Sequence, residues 1–143
     1  MSLFGSLSVS ASGMDAQRAR AELLAENLAN SETTRTPEGG PYHRKDVVFA
    51  STTVSSPFGS EFQSALEGQG VKVAKILVDQ RDPEKRYVPG HPDADAEGYV
   101  AYPRINPAED MVDLMNASRG YQANVAAISA VKDMIQRSLD LLK

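Results

Sequence analysis

The residues with the most chemical promise lie between His43 and Arg104. Asp93, Asp95 and Glu97 alternate ahead of Gly98, the opening rhythm of a calcium loop that ligates from every second position. Such a loop needs a bidentate acid at its twelfth position. Here that position is Arg104, and no helical pattern precedes His91. The run therefore predicts an exposed acidic turn ahead of the strand-like stretch Gly98-Tyr-Val-Ala-Tyr102. His43 and His91, the two histidines, sit in loop-like sequence without ligand-spaced partners, which argues against a metal. Serine, aspartate and histidine nowhere combine in a nucleophile elbow or another catalytic frame. Gly39 and Gly40, followed by His43-Arg44-Lys45, would cradle a phosphate only between a preceding strand and a helix opening on the glycines. The order here is helix, loop, strand, so the basic run reads as solvated charge. No enzyme activity, cofactor or metal is expected.

Composition narrows the partners. The chain has 143 residues, a net charge of −4, 41% apolar residues, no tryptophan and no cysteine. An acidic balance does not suit a nucleic-acid binder, and without cysteine there is neither a disulfide framework nor a thiolate site. Nothing basic precedes Arg18, so the N-terminus lacks the basic n-region of a cleaved secretory signal. No run approaches the roughly 20 apolar residues that span a bilayer, and no membrane insertion is expected.

The ends of the chain carry the strongest patterns. Leu7, Met14, Ala21 and Leu28 recur every seventh position, with Leu3, Ala11, Leu24 and Ala25 between them, a narrow helical seam weakened by Gly13. Near the other end, Asn106-Pro107-Ala108-Glu109 is a helix start: an Asn cap, Pro at the first turn, an acid behind it. From there Leu114, Tyr121, Ile128, Ile135 and Leu142 repeat by sevens, and Met111, Ser118, Val125, Lys132 and Leu139 form a companion row. One helix over 107–142 is predicted. Between the ends lie seven of the eight prolines and the strand-like runs 46–54, 70–80 and 97–102, the second with a break in register near Ala74. Segments 55–70 and 80–98 read as loops. The expected fold is α+β: residues 1–35 a helix and joint, 36–105 a small β-rich insert, 106–143 a helix packing with the first as a coiled-coil-like pair. A thin seam containing Ala11, Gly13, Ala21 and Ala25 covers the C-terminal face poorly, so neighbouring molecules are expected to complete it.

The joint is the stretch from Ala25 to Lys45. Asn30 sits where a helix C-cap belongs, and Asn tolerates the left-handed conformation such caps adopt. Asn27, one turn earlier, is expected to bond the last free carbonyls. Thr33 and Thr34 favour turn or extended backbone, and Pro37, Gly39, Gly40 and Pro41 fix a loop ahead of Tyr42.

Asn27-Leu28-Ala29-Asn30 followed by Thr33-Thr34-Arg35-Thr36-Pro37, Gly39-Gly40-Pro41-Tyr42 resembles the N-terminal signature of the bacterial flagellar axial proteins. Within that family it is most similar to proximal rod subunits rather than distal rod or hook. The stretches 90–103 and 111–135 strengthen the likeness, which spans well over half the chain; the loop at 51–70 carries no matching motif. The resemblance implies a structural subunit of the basal-body rod, periplasmic, assembled with copies of itself and neighbouring rod proteins. In such a rod the terminal helices line an inner tube and the insert forms an outer layer. It also implies export through the flagellar type III apparatus without signal cleavage, for which Leu3, Phe4 and Leu7 form the apolar element nearest the N-terminus. Those three residues equally make the first turns of the seam. An adaptor that binds a single partner through a heptad hairpin remains the alternative.

Overall fold

The computed structural model describes residues 3–53 and 69–141. Six elements follow in order: α1 (Leu3–Ala29), β1 (Lys45–Thr53), β2 (Gln69–Val78), β3 (Glu84–Tyr87), β4 (Tyr99–Tyr102) and α2 (Pro107–Asp140). Most of the loop read over 55–70, and Leu142, lie outside the described residues.

Helix α2 forms as its start signals dictate. The Asn106 side chain accepts from the Ala108 N–H at 3.2 Å, Pro107 opens the first turn, and Glu109 and Asp110 oppose the positive end of the helix dipole. With no proline after it, the helix runs unbroken for 34 residues, about 51 Å at about 1.5 Å per residue. It packs antiparallel on α1, with glycines where side chains of the other helix lie close. A Cβ on Gly13 would lie 2.9 Å from Asn124 Oδ1, and one on Gly120 would lie 3.1 Å from Gln17 Cδ. Gly13, a defect in a lone helix, here leaves room for the Asn124 side chain. Asn124 in turn donates to the Gly120 carbonyl at 2.9 Å, and Arg20 reaches Asp113 at 3.6 Å.

The insert is two separate antiparallel ribbons, β1–β2 and β3–β4. In the first, Val48 pairs with Lys75 but Phe49 with Val73, so Ala74 is an extra residue, a bulge. This is the register break read from the sequence. Its effect is to keep Val71, Val73, Ile76 and Val78 on one face with Val47 and Phe49, because a period of two would otherwise send Ile76 to the opposite side. That face lies beside Ala19 and Leu23 of α1, and Ser12 Oγ accepts from the Val71 N–H at 3.1 Å.

The second ribbon corrects the reading of 80–98 as loop throughout. Glu84-Lys-Arg-Tyr87 is a strand, pairing Glu84 with Tyr102 and Tyr87 with Tyr99. All four of its residues are exposed, so it has no apolar alternation to read. The ladder, the Tyr87–Tyr99 edge contact at 5.4 Å and Arg86 over the Tyr102 ring at 4.9 Å hold it. Val100 of β4 is fully buried and anchors the ribbon.

Candidate functional site

The residues brought together most tightly are those of the joint. Asn27, at the last turn of α1, is fully buried. Its Nδ2 donates to the Lys45 carbonyl at 2.8 Å, while its Oδ1 accepts from the Lys45 N–H at 2.9 Å and from the Tyr42 hydroxyl at 3.0 Å. The side-chain amide thus does for the first residue of β1 what a neighbouring strand would do. It leaves no buried backbone group of Lys45 unpaired. The preceding residue is held by the other helix: Arg44 gives Nη2 to Asp110 Oδ1 of α2 at 2.8 Å and Nη1 to Asp46 at 2.6 Å. Asp110 is 1% exposed. Two consecutive residues therefore tie the insert to both helices, Lys45 through its backbone and Arg44 through its side chain.

Burial first, then the nearby Glu26 carboxylate, pushes the Tyr42 phenol up to about 12. Burial disfavours the Arg44 charge, and the bond and field of Asp110, with Asp46, outweigh it and hold the guanidinium above its ordinary value. Lys45 pairs with Glu26 and lies 5.5 Å from the Tyr42 ring centroid.

The loop between helix and strand is pinned at both ends. Tyr42 N–H donates to Thr33 O at 3.1 Å, and Thr36 N–H donates to Gly40 O at 2.8 Å. Gly39 and Gly40 have φ of 94° and 76°, which only glycine adopts cheaply. The acidic turn docks here: Asp93 accepts from Thr34 at 2.8 Å and pairs with Arg35, while Asp95 Oδ1 caps the Glu97 and Tyr99 N–H groups. His43 Nδ1 lies 3.0 Å from the Asp79 carbonyl. The carboxyl of Asp79 is held down at about 2 by Arg81 through side-chain and backbone hydrogen bonds.

Two expectations for the joint are overturned. Asn30 is not left-handed, since no non-glycine residue among those described has positive φ. The helix instead ends through tightened turns, with the Asn30 N–H shared between the Glu26 and Asn27 carbonyls at 3.1 and 3.2 Å and Ser31 bonding to Leu28. The capping of last carbonyls expected of Asn27 falls to Asn30, whose Nδ2 donates to Glu26 O at 2.9 Å. Asn27 was unreadable in this role because its partner is 18 residues away.

The heptad rows divide. On α1, Leu24 is buried and Leu7, Met14, Ala21 and Leu28 are half-buried, while Ala11 and Ala25 are exposed. On α2, Leu114, Ile128 and Ile135 are half-buried and Tyr121 is 38% exposed. The companion row against α1 is not the one read from the sequence: Asp110, Ala117, Asn124 and Val131 lie inward. Met111, Val125 and Leu139 are 51%, 41% and 57% exposed. The facing positions of α1, Gly13, Gln17 and Arg20, are polar or small and accept small or polar neighbours. Leu3 is 42% exposed and Leu7 half-buried; Phe4 is described in backbone only.

Two long terminal helices thus carry a small insert gripped between them and leave Met111, Val125 and Leu139 uncovered. Residues 96–141 match the family model described as flagellar basal body rod FlgEFG protein C-terminal. Over the whole length the chain is 44% identical to the flagellar basal-body rod protein FlgC of Bacillus subtilis, covering 100% of each. It is 40% identical to that of Borreliella burgdorferi, over 100% of this chain and 99% of the relative. Against that of Salmonella typhimurium it is 38% identical, over 99% and 98%. The chain belongs to the FlgC family of flagellar basal-body rod proteins. Their names are those of a structural component, not of an enzyme. No described helix is long and apolar enough to cross a membrane.

Proposed function

We propose that the chain is a periplasmic subunit of the proximal rod, polymerising with copies of itself and with neighbouring rod proteins into the shaft that transmits motor torque and encloses the export channel. The helix pair forms the inner layer and the insert, with the joint as crossing point, the outer one. The chain reaches the rod unfolded through the type III export apparatus, with Leu3, Phe4 and Leu7 as its docking element. The interface comprises Leu7, Met14, Ala21, Leu24 and Leu28 of α1. On the C-terminal helix it comprises Met111, Leu114, Tyr121, Val125, Ile128, Ile135, Leu139 and Leu142.

What supports this reading most is the exposure of Met111, Val125 and Leu139 on α2, in a chain whose relatives are rod proteins. An adaptor would need one partner to cover that row; a polymer covers it with many. Val125→Asp and Ile128→Asp test the difference. Val125 is 41% exposed, so its variant should keep the isolated chain's stability within about 0.5 kcal/mol, yet yield no rods in a strain lacking the parent gene. Ile128→Asp should also lose assembly, and in addition cost the hairpin several kcal/mol, because a charge enters a half-buried contact. Normal motility and basal-body yield with Val125→Asp would overturn the polymer reading.

A further inference from the structure

The two histidines meet partners of opposite kind. His43 Nδ1 faces the Asp79 carbonyl, so that nitrogen carries a hydrogen and donates, whether the ring is neutral or charged. His91 Nδ1 faces the Asp93 N–H at 3.1 Å, so that nitrogen is bare and accepts. A protonated imidazole has two donors and no acceptor, and the His91 bond therefore exists only with the neutral ring. The backbone there has little freedom to adjust. The His91 N–H donates to Val88 O at 3.3 Å and its carbonyl accepts from the Ala94 N–H at 3.0 Å, directly after Gly90 at φ 95°. A proton on Nδ1 sets two N–H groups against each other, and either the ring or Asp93 must turn away.

Asp93 is where the acidic turn meets the joint. Its Oδ2 accepts from Thr34 Oγ1 at 2.8 Å, a contact spanning 59 residues of chain, and its Oδ1 pairs with Arg35. We propose that His91 is a pH-sensitive latch: the neutral ring holds the Asp93 turn on the joint, and protonation loosens it. A charged ring has two courses, and each weakens the dock. Turned toward the Asp93 carboxylate, it competes with Thr34 and Arg35 for the same oxygens. Turned away, it leaves the Asp93 N–H without its acceptor. The other groups around the ring are already engaged. Tyr102 of β4 stands 6.4 Å from it, Arg86 of β3 lies over the Tyr102 ring, and the charge of Glu32, on the joint, acts on Arg86. Asp95, in the same turn, is occupied by the Glu97 and Tyr99 N–H groups. The sign follows from the bond: the dock is complete while the ring is neutral and is lost as pH falls and the ring takes its proton. His43, whose bond survives protonation, is the internal control. The latch belongs to the folded chain by itself and stands apart from the subunit role.

The full-length chain, labelled with nitrogen-15, is followed by NMR from about pH 8 to about pH 5, the interval in which histidine changes charge. At the upper end the His91 ring should carry its hydrogen on Nε2 and the His43 ring on Nδ1. As the His91 ring takes its proton, the amides of Thr34, Arg35 and Asp93 should shift with the same midpoint. His91→Asn is the locked form, because an Asn oxygen reaches the N–H two residues on and does not titrate. Its Thr34 and Arg35 signals should stay flat across the range. At about pH 5 the Asp93 amide should exchange at least about threefold faster in the unsubstituted chain than in this variant, the low end of what one hydrogen bond contributes. A His91 ring with its hydrogen on Nδ1 at about pH 8 overturns the latch without recourse to any variant. Thr34 and Arg35 shifts equal in both chains also overturn it, since they assign the response to carboxylates. A response abolished by His43→Gln overturns it too, by assigning the switch to the other histidine.

Discussion

Helix α2 carries two surfaces of opposite character. Its first turn joins a buried polar junction in which Asp110, Arg44, Lys45, Asn27 and Tyr42 bond to one another across three elements. Its outer face, from Met111 through Val125 to Leu139, holds those three side chains against solvent. An ordinary small domain does the reverse, burying apolar side chains and leaving polar ones wet. The contrast separates two tasks. The junction fixes where the insert stands on the helix pair, and polar side chains do this well because hydrogen bonds are directional while apolar contact is not. The outer row is left to association, where non-directional burial supplies most of the driving force.

If the junction is what orients the insert, removing its centre should cost far more than any change on the outer face. Asn27→Ala deletes three hydrogen bonds and strands the Lys45 N–H and carbonyl. At about 1–3 kcal/mol for each group left unpaired, a loss of about 2–6 kcal/mol is expected in urea unfolding. Amide exchange over β1 should accelerate while the middle of α2 stays protected. A loss below that of Val125→Asp would reverse the contrast between the two surfaces.

A milder cut sharpens it. The Tyr42 phenol is pushed up to about 12 from an ordinary 10. The raised value means the folded state holds the phenolic proton more tightly than the unfolded chain. The resulting stability is complete below pH 10 and is lost as pH rises through 10 toward 12. Alkaline unfolding followed by circular dichroism should show this loss. Tyr42→Phe should abolish that component of the pH dependence and cost about 0.5–1.5 kcal/mol at neutral pH, the usual net value of one hydrogen bond. An unchanged alkaline profile in the variant would show that Tyr42 does not belong to the junction's energetics.

The two surfaces also differ in how far the sequence reveals them. The long helix was legible because its signals are local: Asn106, Pro107 and repeats of seven. The bulge at Ala74 was legible because a change in period betrays it. The β3 strand was not, since Glu84-Lys-Arg-Tyr87 has no apolar face and exists through its ladder to β4. That Met111, Val125 and Leu139 face away from α1 was not legible, because sequence shows which residues are apolar but not which face a partner helix accepts. Gly13 and Gln17 decide that by letting Asn124 and Gly120 come close. The junction was legible as a joint between helix and insert, while its bonding was not, because Asn27 and Lys45 meet only through the tertiary fold.

The smallest expected effect sets Asn27 against its neighbour in the same motif. Asn30 looks equivalent in sequence, yet it is partly exposed and bonds only locally, to the Glu26 carbonyl at 2.9 Å and to Thr33 Oγ1 at 3.1 Å. A left-handed cap would make Asn30→Gly harmless and Asn30→Val severe, because β-branched residues resist that conformation. With φ negative at Asn30, valine meets no such barrier. Both substitutions lose the same side-chain bonds, and glycine adds backbone entropy to the unfolded chain. Each should cost about 0.5–1 kcal/mol, with glycine no better than valine. Thermal unfolding of the pair decides between the cap and the tightened turn, and stability intact in glycine but lost in valine would restore the left-handed cap.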